Sequence, residues 1–243
     1  MSTELYTVII LALLPAVGNL VGGLVAEWIP MSKKLINYSL HIASGIIISL
    51  VAVEVFPNSL GKAPTWKLSM AFLIGGLFYL FIKSIIAKWQ ENMEGGEGTG
   101  AWMVYIAVVF DLIGDGLLIG AASVISFELA ILLALAQVAA GIPTGFATIA
   151  NFKDKGTSTL KRLLLSASFV IPILLAALFS YFILKEQNES VQVSGLVFVA
   201  GIYVIAAVED LIGEGHEAYE DNKLSAVYFL IGFVLFMVAS SFG

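Results

Sequence analysis

The sequence predicts an all-α integral membrane protein of eight transmembrane helices, and three observations carry that prediction. First, 59% of its 243 residues are apolar and only 12% charged, with a mean hydropathy of +0.97. A soluble domain has about 45–50% apolar and about 25% charged residues. Second, apolar stretches of about 20 residues, the helix length that crosses a hydrocarbon core roughly 30 Å thick, recur eight times with short connections. Third, Lys and Arg concentrate on one side when the connections are assigned to alternate faces. The net charge of −6 excludes a nucleic-acid binder, which needs clustered Lys and Arg. With no cysteine there is no disulfide framework, thiolate metal site or thiol nucleophile.

The stretches cover approximately residues 5–27, 35–57, 66–89, 101–123, 128–150, 162–184, 191–212 and 224–242. The first follows a short acidic start and is longer than the apolar region of a signal peptide, so it is expected to be retained. The second carries His41 near one end and Glu54 one turn before Pro57 near the other. The third leads into ENMEGGEGTG (91–100), a Gly- and Glu-rich stretch that reads as a flexible loop between two packed units. The fourth holds DLIGDGLLIG, and only Val124 to Phe127, marked by a Ser and by Glu128, separates it from the fifth, which holds QVAAGIPTG. The sixth opens on Arg162. The seventh ends in EDLIGEGHEAYED and is followed by the eighth. Trp28, Trp66, Trp89 and Trp102 fall at span ends, as an aromatic belt requires.

With both termini outside, Lys33, Lys34, Lys83, Lys88, Lys153, Lys155, Lys161, Arg162 and Lys223 lie on the inner side. Only Lys62, Lys67 and Lys185 lie on the outer side. The chain also carries weak internal symmetry of the kind transporters build from inverted repeats. SGIIISLVAVEVFP in span two aligns without a gap on AGIYVIAAVEDLIG in span seven, pairing Gly45 with Gly201 and Glu54 with Asp210. DLIGDGLLIG in span four aligns on AGIPTGFATI in span five, pairing Asp111 with Ala140, Asp115 with Thr144 and Gly116 with Gly145. The implied plan is three spans, two central spans and three inverted spans.

The carboxylates inside these spans point to function. Burying one near the bilayer centre costs at least roughly 2.5–3.5 kcal/mol on insertion scales. Asp111 and Asp115 lie near the middle of span four and, at i,i+4, share one helix face, where they repel unless a cation or proton lies between them. The alternative is a protonated pair hydrogen-bonded to neighbouring helices. In span five, Pro143 removes a backbone donor and frees the carbonyl of Ala139, while Gln137 and Thr144 offer neutral oxygen ligands. A Pro kink with packing glycines accounts for the same residues. In span seven, Asp210 and Glu214 are spaced i,i+4, as are His216 and Glu220, and the adjacent Glu209 and Asp210 lie in the inner third of the bilayer. Glu214 through Asp221 also suit a solvated cytoplasmic turn. Glu54, near the outer mouth, either recruits cations electrostatically or snorkels to the interface, and His41 suits a hydrogen-bonded packing role.

Together, the eight spans with outer termini, DLIGDGLLIG, GIPTGFATI and AGIYVIAAVEDLIGEGHE resemble the ZIP (Zrt/Irt-like) family of divalent metal transporters over nearly the whole chain. In that family span four reads H-N-x-x-[DE]-G and span five [HQ]-[ED]-x-P-E-G. Here Asp111 stands at the His position and Leu112 at the Asn, while Asp115 and Gly116 match. In span five only Pro143 and Gly145 match, with Ala140, Gly141 and Thr144 replacing the three ligands. The span-seven pattern H-E-x-x-P-E-x-H falls on Glu209, Asp210, Gly213, Glu214 and His216, and the connection at 91–100 lacks the family's histidines.

What the resemblance implies is a secondary transporter or facilitator, not an enzyme, that moves a divalent cation inward. Glu54 would stand at the outer approach, Asp111 and Asp115 at the centre with Gln137 and Thr144 as neutral ligands, and Glu209, Asp210, Glu214 and His216 on the inner side. The metal is its substrate and no cofactor is expected. Losing imidazole while keeping carboxylate shifts preference from Zn²⁺ toward harder Mn²⁺, Fe²⁺ or Mg²⁺. An intramembrane aspartyl protease is disfavoured because its two Asp must face each other from different helices, and Asp111 and Asp115 share one. A ZIP-fold protein that conducts protons or another small solute stands as the second expectation. The expected setting is the cytoplasmic membrane of a prokaryote, with lipid and the transported cation as partners, no nucleic acid, and Gly-rich faces that allow a homodimer.

Overall fold

A computed structural model describes residues 3–29, 32–93, 99–220 and 223–241, the side chains of 3, 89–93, 99–104 and 107 excepted. Among the described residues, eight helices are long and apolar enough to cross a membrane, so the chain is an all-α protein of multi-pass membrane type. Spans one, three, four and five are the helices Thr3–Trp28, Thr65–Met93, Thr99–Ile125 and Phe127–Asp154. Span two runs Lys33–Leu50, passes through a π-helical turn at Val51–Val55 and ends with Phe56–Ser59. Span six is broken into Thr159–Ser168 and Val170–Leu184. Span seven repeats the plan of span two, as Glu189–Ala206, a π-helical turn at Ala207–Ile212 and Gly213–Ala218. Span eight is Lys223–Ser240.

Local chemistry sets these limits. Ser32, Ser126 and Asn188 are extended residues whose side chains accept from the backbone N–H three positions on, satisfying a donor that the first helical turn leaves orphaned. Ser126 alone separates spans four and five, so the break expected over Val124 to Phe127 is a single capping residue. Span five ends in a left-handed Gly156 at φ +73°. There the N–H of Thr157 returns to the carbonyl of Phe152 and that of Gly156 to Lys153, closing the last turn. Span six breaks at Phe169 because Pro172 cannot donate to the carbonyl of Ser168. Of the expected loop at 91–100, residues 94–98 lie outside the described residues, as do the side chains of Trp89 and Trp102, whereas Trp28 and Trp66 are exposed at span ends.

Span one packs along span five and span six along span four, while span two packs along span eight and span seven along span three. Spans two and seven also touch spans five and four respectively, which brings spans two, four, five and seven together at the centre. Close backbone approach explains the glycines that the sequence pairs. A side chain at Gly45 would overlap the carbonyl oxygen of Phe229 in span eight, and one at Gly201 would overlap that of Phe72 in span three. Likewise Gly116 lies against the carbonyl of Ile173 in span six and Gly145 against that of Asn19 in span one. Spans three and eight are the least buried of the eight and present large apolar side chains such as Leu73, Phe81, Leu230 and Leu235.

Candidate functional site

At the meeting of spans two, four, five and seven lies a small cavity with room for little more than one water molecule or ion. Asp111 and Asp115 face it from span four, Gln137 and Thr144 from span five, Ile47 and Leu50 from span two, and Tyr203 from span seven. The helical spacing of the sequence thus does what it implies, placing both aspartates on one wall opposite the Pro143 segment.

The wall is unevenly satisfied. Asp115, 8% exposed, accepts a hydrogen bond from the Tyr203 hydroxyl. That hydroxyl in turn accepts from Gln137 Nε2 at 2.6 Å, and the same amide reaches the backbone carbonyl of Asp115 at 3.3 Å. Because Tyr203 has one proton and gives it to the carboxylate, Gln137 must turn its amide nitrogen toward the ring. The consequence is that Gln137 Oε1, on a side chain only 2% exposed, is left without a partner. A buried acceptor without a donor is costly, and a water or cation in the cavity would relieve it. Asp111, half-buried in the next turn, makes no hydrogen bond or ion pair to a described side chain. Thr144, the other neutral ligand expected, is tied elsewhere: its hydroxyl is within 3.3 Å of Asn19 Oδ1 and 3.1 Å of the Gly141 carbonyl.

A second group lies along span seven. Asp210 accepts a hydrogen bond from the Tyr79 hydroxyl and pairs with Lys83 at 2.8 Å, while Glu209 is 3.4 Å from the same ammonium. Glu214 follows one turn after Asp210 on the same span. His216 stands ring to ring with His41, their centroids 5.8 Å apart. The His41 Nδ1–H donates to the Asn37 carbonyl at 2.8 Å, and its ring lies against Gly215, the packing role read from the sequence. Glu54 is buried in the other π-helical turn, accepting from Ser240 and, at 3.3 Å, from Asn58 Nδ2. Its surroundings are an interhelical tie, unlike the open mouth that its sequence position suggested.

Among the described residues, no group of three or more His, Asp or Glu gathers closely enough to hold a metal ion by itself. A cation in the central cavity would therefore be held by the two aspartates and the orphaned amide oxygen of Gln137, an all-oxygen set. Sequence reasoning missed Tyr203, Tyr79, Lys83 and Asn19. The signal for the tyrosines was present, since a hydroxyl buried in a span must find a polar partner. The signal for Lys83 was an ammonium nearly two turns inside the expected span end, where an unpaired charge is costly.

The fold and this wall define a multi-pass α-helical membrane protein with a carboxylate-lined central cavity. Compared with models of known families the chain finds no match, and compared with curated proteins it finds none.

Proposed function

We propose that the protein is a ZIP-like secondary transporter or facilitator that carries a divalent cation of the Zn, Fe or Mn class into the cytoplasm, with the cation bound between Asp111, Asp115 and Gln137. The observation that carries this reading is the unpartnered Oε1 of Gln137, a side chain that lines a cavity of one-ion size together with the two aspartates. A membrane carboxylate pair is expensive to maintain for packing alone, and a cation removes both the repulsion and the orphaned acceptor. Compared with a site that includes imidazole, an oxygen-only set shifts preference from Zn²⁺ toward the harder Mn²⁺ or Fe²⁺.

The topological part of the proposal is an inverted repeat of spans one to three and six to eight around spans four and five, with both termini outside. The glycine contacts support it: exchanging spans two and seven, three and eight, four and five, and one and six turns each of the four close approaches into another. The Lys and Arg distribution supports the orientation. A prokaryotic cytoplasmic membrane and a homodimer complete the reading.

The test is uptake by purified protein in liposomes, with Zn²⁺, Mn²⁺, Fe²⁺, Co²⁺ and Cd²⁺ in parallel and Asp111→Asn and Asp115→Asn beside them. Uptake of at least one ion, abolished by both substitutions, is the expected result. Folded protein that takes up none would overturn the reading. One observation favours a second reading, proton conduction: the Tyr203 hydroxyl links Asp115 to Gln137 in a continuous hydrogen-bond chain. Proton flux into the same liposomes without divalent ions, followed with a pH-sensitive dye, separates the two.

A further inference from the structure

We infer that the groove between spans one and six, at the end of the molecule where Arg162 meets Glu27, is a binding site for the headgroup of an anionic phospholipid. The inference goes beyond the transport reading and does not depend on it. The groove has a volume of about 350 Å³, far more than one ion needs and within the range of small-molecule sites. Leu20, Gly23 and Leu24 of span one, with Ile149 and Leu163, form its apolar part, and Thr159, Arg162 and Ser166 of span six its polar part. Glu27 and the exposed Trp28 complete the lining at the end of span one.

The polar part holds donors in excess. Arg162 Nε and Nη2 take the two oxygens of Glu27, at 2.5 and 2.6 Å, so the one acid of the lining is neutralised where it stands. Arg162 also donates to the Thr157 carbonyl and, at 3.1 Å, to the Thr159 hydroxyl, which leaves one of its five N–H groups without an acceptor among the described residues. The Thr159 hydroxyl accepts that bond and gives its own proton to no described residue. The Ser166 hydroxyl makes no hydrogen bond to a described residue either, whereas Ser44, Ser84, Ser123 and Ser194 each return theirs to a carbonyl one turn back. Lys153 adds an ammonium 3.3 Å from the Glu27 carbonyl oxygen, beside the groove. Residues 153–162 carry Lys153, Lys155, Lys161 and Arg162 against a single acid, Asp154. A basic cluster next to a membrane surface attracts anionic lipid, and unmatched donors beside hydrocarbon call for acceptor oxygens, which a phospholipid carries on its phosphate and esters.

The other end of the same two spans supplies the contrast. The register that puts Asn19 where Ile173 stands, each against a glycine, puts Glu27 at the position of Tyr181. The counterpart groove is therefore the one lined by Glu4, Ser123, Tyr181 and Lys185. There Tyr181 donates to Glu4 at 3.0 Å, Ser123 donates to the Ile119 carbonyl, and Lys185 pairs with Glu186 at 3.6 Å. Those donors are matched within the chain, so only the Arg162 groove asks for an acceptor-rich anion.

The full chain, purified in nonionic detergent, is mixed with dioleoylphosphatidylglycerol or dioleoylphosphatidylcholine, and native mass spectrometry reads the fraction that carries lipid. Phosphatidylglycerol is expected to be retained at least about fivefold better. Lys153→Gln is expected to lower that retention about fivefold, the scale of one basic residue at a membrane surface. Thr159→Val combined with Ser166→Ala is expected to lower it about as much, through the hydrogen bonds lost. Lys185→Gln, in the counterpart groove, is expected to leave it unchanged. These variants spare the Arg162 to Glu27 pair, and each is compared at an unchanged melting temperature. Equal retention of the two lipids overturns the site, and so does a loss in Lys185→Gln as large as that in Lys153→Gln. A groove variant that changes oligomeric size while keeping its phosphatidylglycerol assigns the groove to a second copy of the chain and overturns the proposal as well.

Discussion

The two π-helical turns, at Val51–Val55 and Ala207–Ile212, occupy matching places in spans two and seven, yet their carboxylates live in opposite circumstances. Glu54 is 8% exposed and held by the neutral donors of Ser240 and Asn58. Asp210 is a third exposed and held by Tyr79 and the ammonium of Lys83. A π turn widens the helix and re-aims side chains at the point where it occurs, which is why such turns gather at functional sites. The difference teaches that backbone symmetry fixes where a carboxylate points, and the side chain opposite fixes whether it is held by neutral donors or by a charge. One half of this fold is closed by neutral hydrogen bonds, and the other by an ion pair.

That comparison is sharpest at the glycines beneath the turns. Gly45→Leu and Gly201→Leu each force a side chain into a neighbouring carbonyl, and each is expected to cost about 3 kcal/mol or more, enough to remove folded protein from a size-exclusion profile. If one is tolerated and the other not, the two halves are not packed alike.

Next in size is the contrast between the acids. Glu54→Ala strips partners from two donors in a buried place and is expected to lower stability by about 1–3 kcal/mol. Asp210→Ala removes a less buried pair and is expected to cost less than Glu54→Ala. Thermal melting in detergent reads both, and equal losses would break the distinction between the two turns.

The smallest expected effect concerns the centre. Tyr203→Phe frees Asp115 from its hydroxyl partner and lets Gln137 rotate. Removing one donor from a buried carboxylate is expected to cost about 1 kcal/mol of stability and to alter cation uptake about fivefold. An unchanged uptake profile across the five ions would show that the Asp115 to Gln137 chain is not part of the site.

Much of this was legible in the sequence. Each of the eight spans starts within three residues of its expected position, because bilayer length and apolar runs leave little freedom. The pairing of Gly45 with Gly201 and of Gly116 with Gly145 was visible because only glycine fits where backbones touch. The aspartate wall followed from i,i+4 spacing alone. What could not be read was the partner of each acid. Glu54 and Ser240 are far apart in sequence, as are Asp210 and Lys83, Asp115 and Tyr203, and nothing in the periodicity of one helix names the residue across from it.

The sequence by itself determined an all-α chain of eight apolar helices with carboxylates at fixed heights and faces, since length, hydropathy and helical period are local properties. Only the tertiary structure decided that Gln137 keeps an oxygen unpaired beside Asp111 and Asp115, that Thr144 turns instead to Asn19, and that Lys83 rather than a neutral side chain meets Asp210. Those outcomes depend on which helices lie side by side and in what register, and close packing of whole faces sets both.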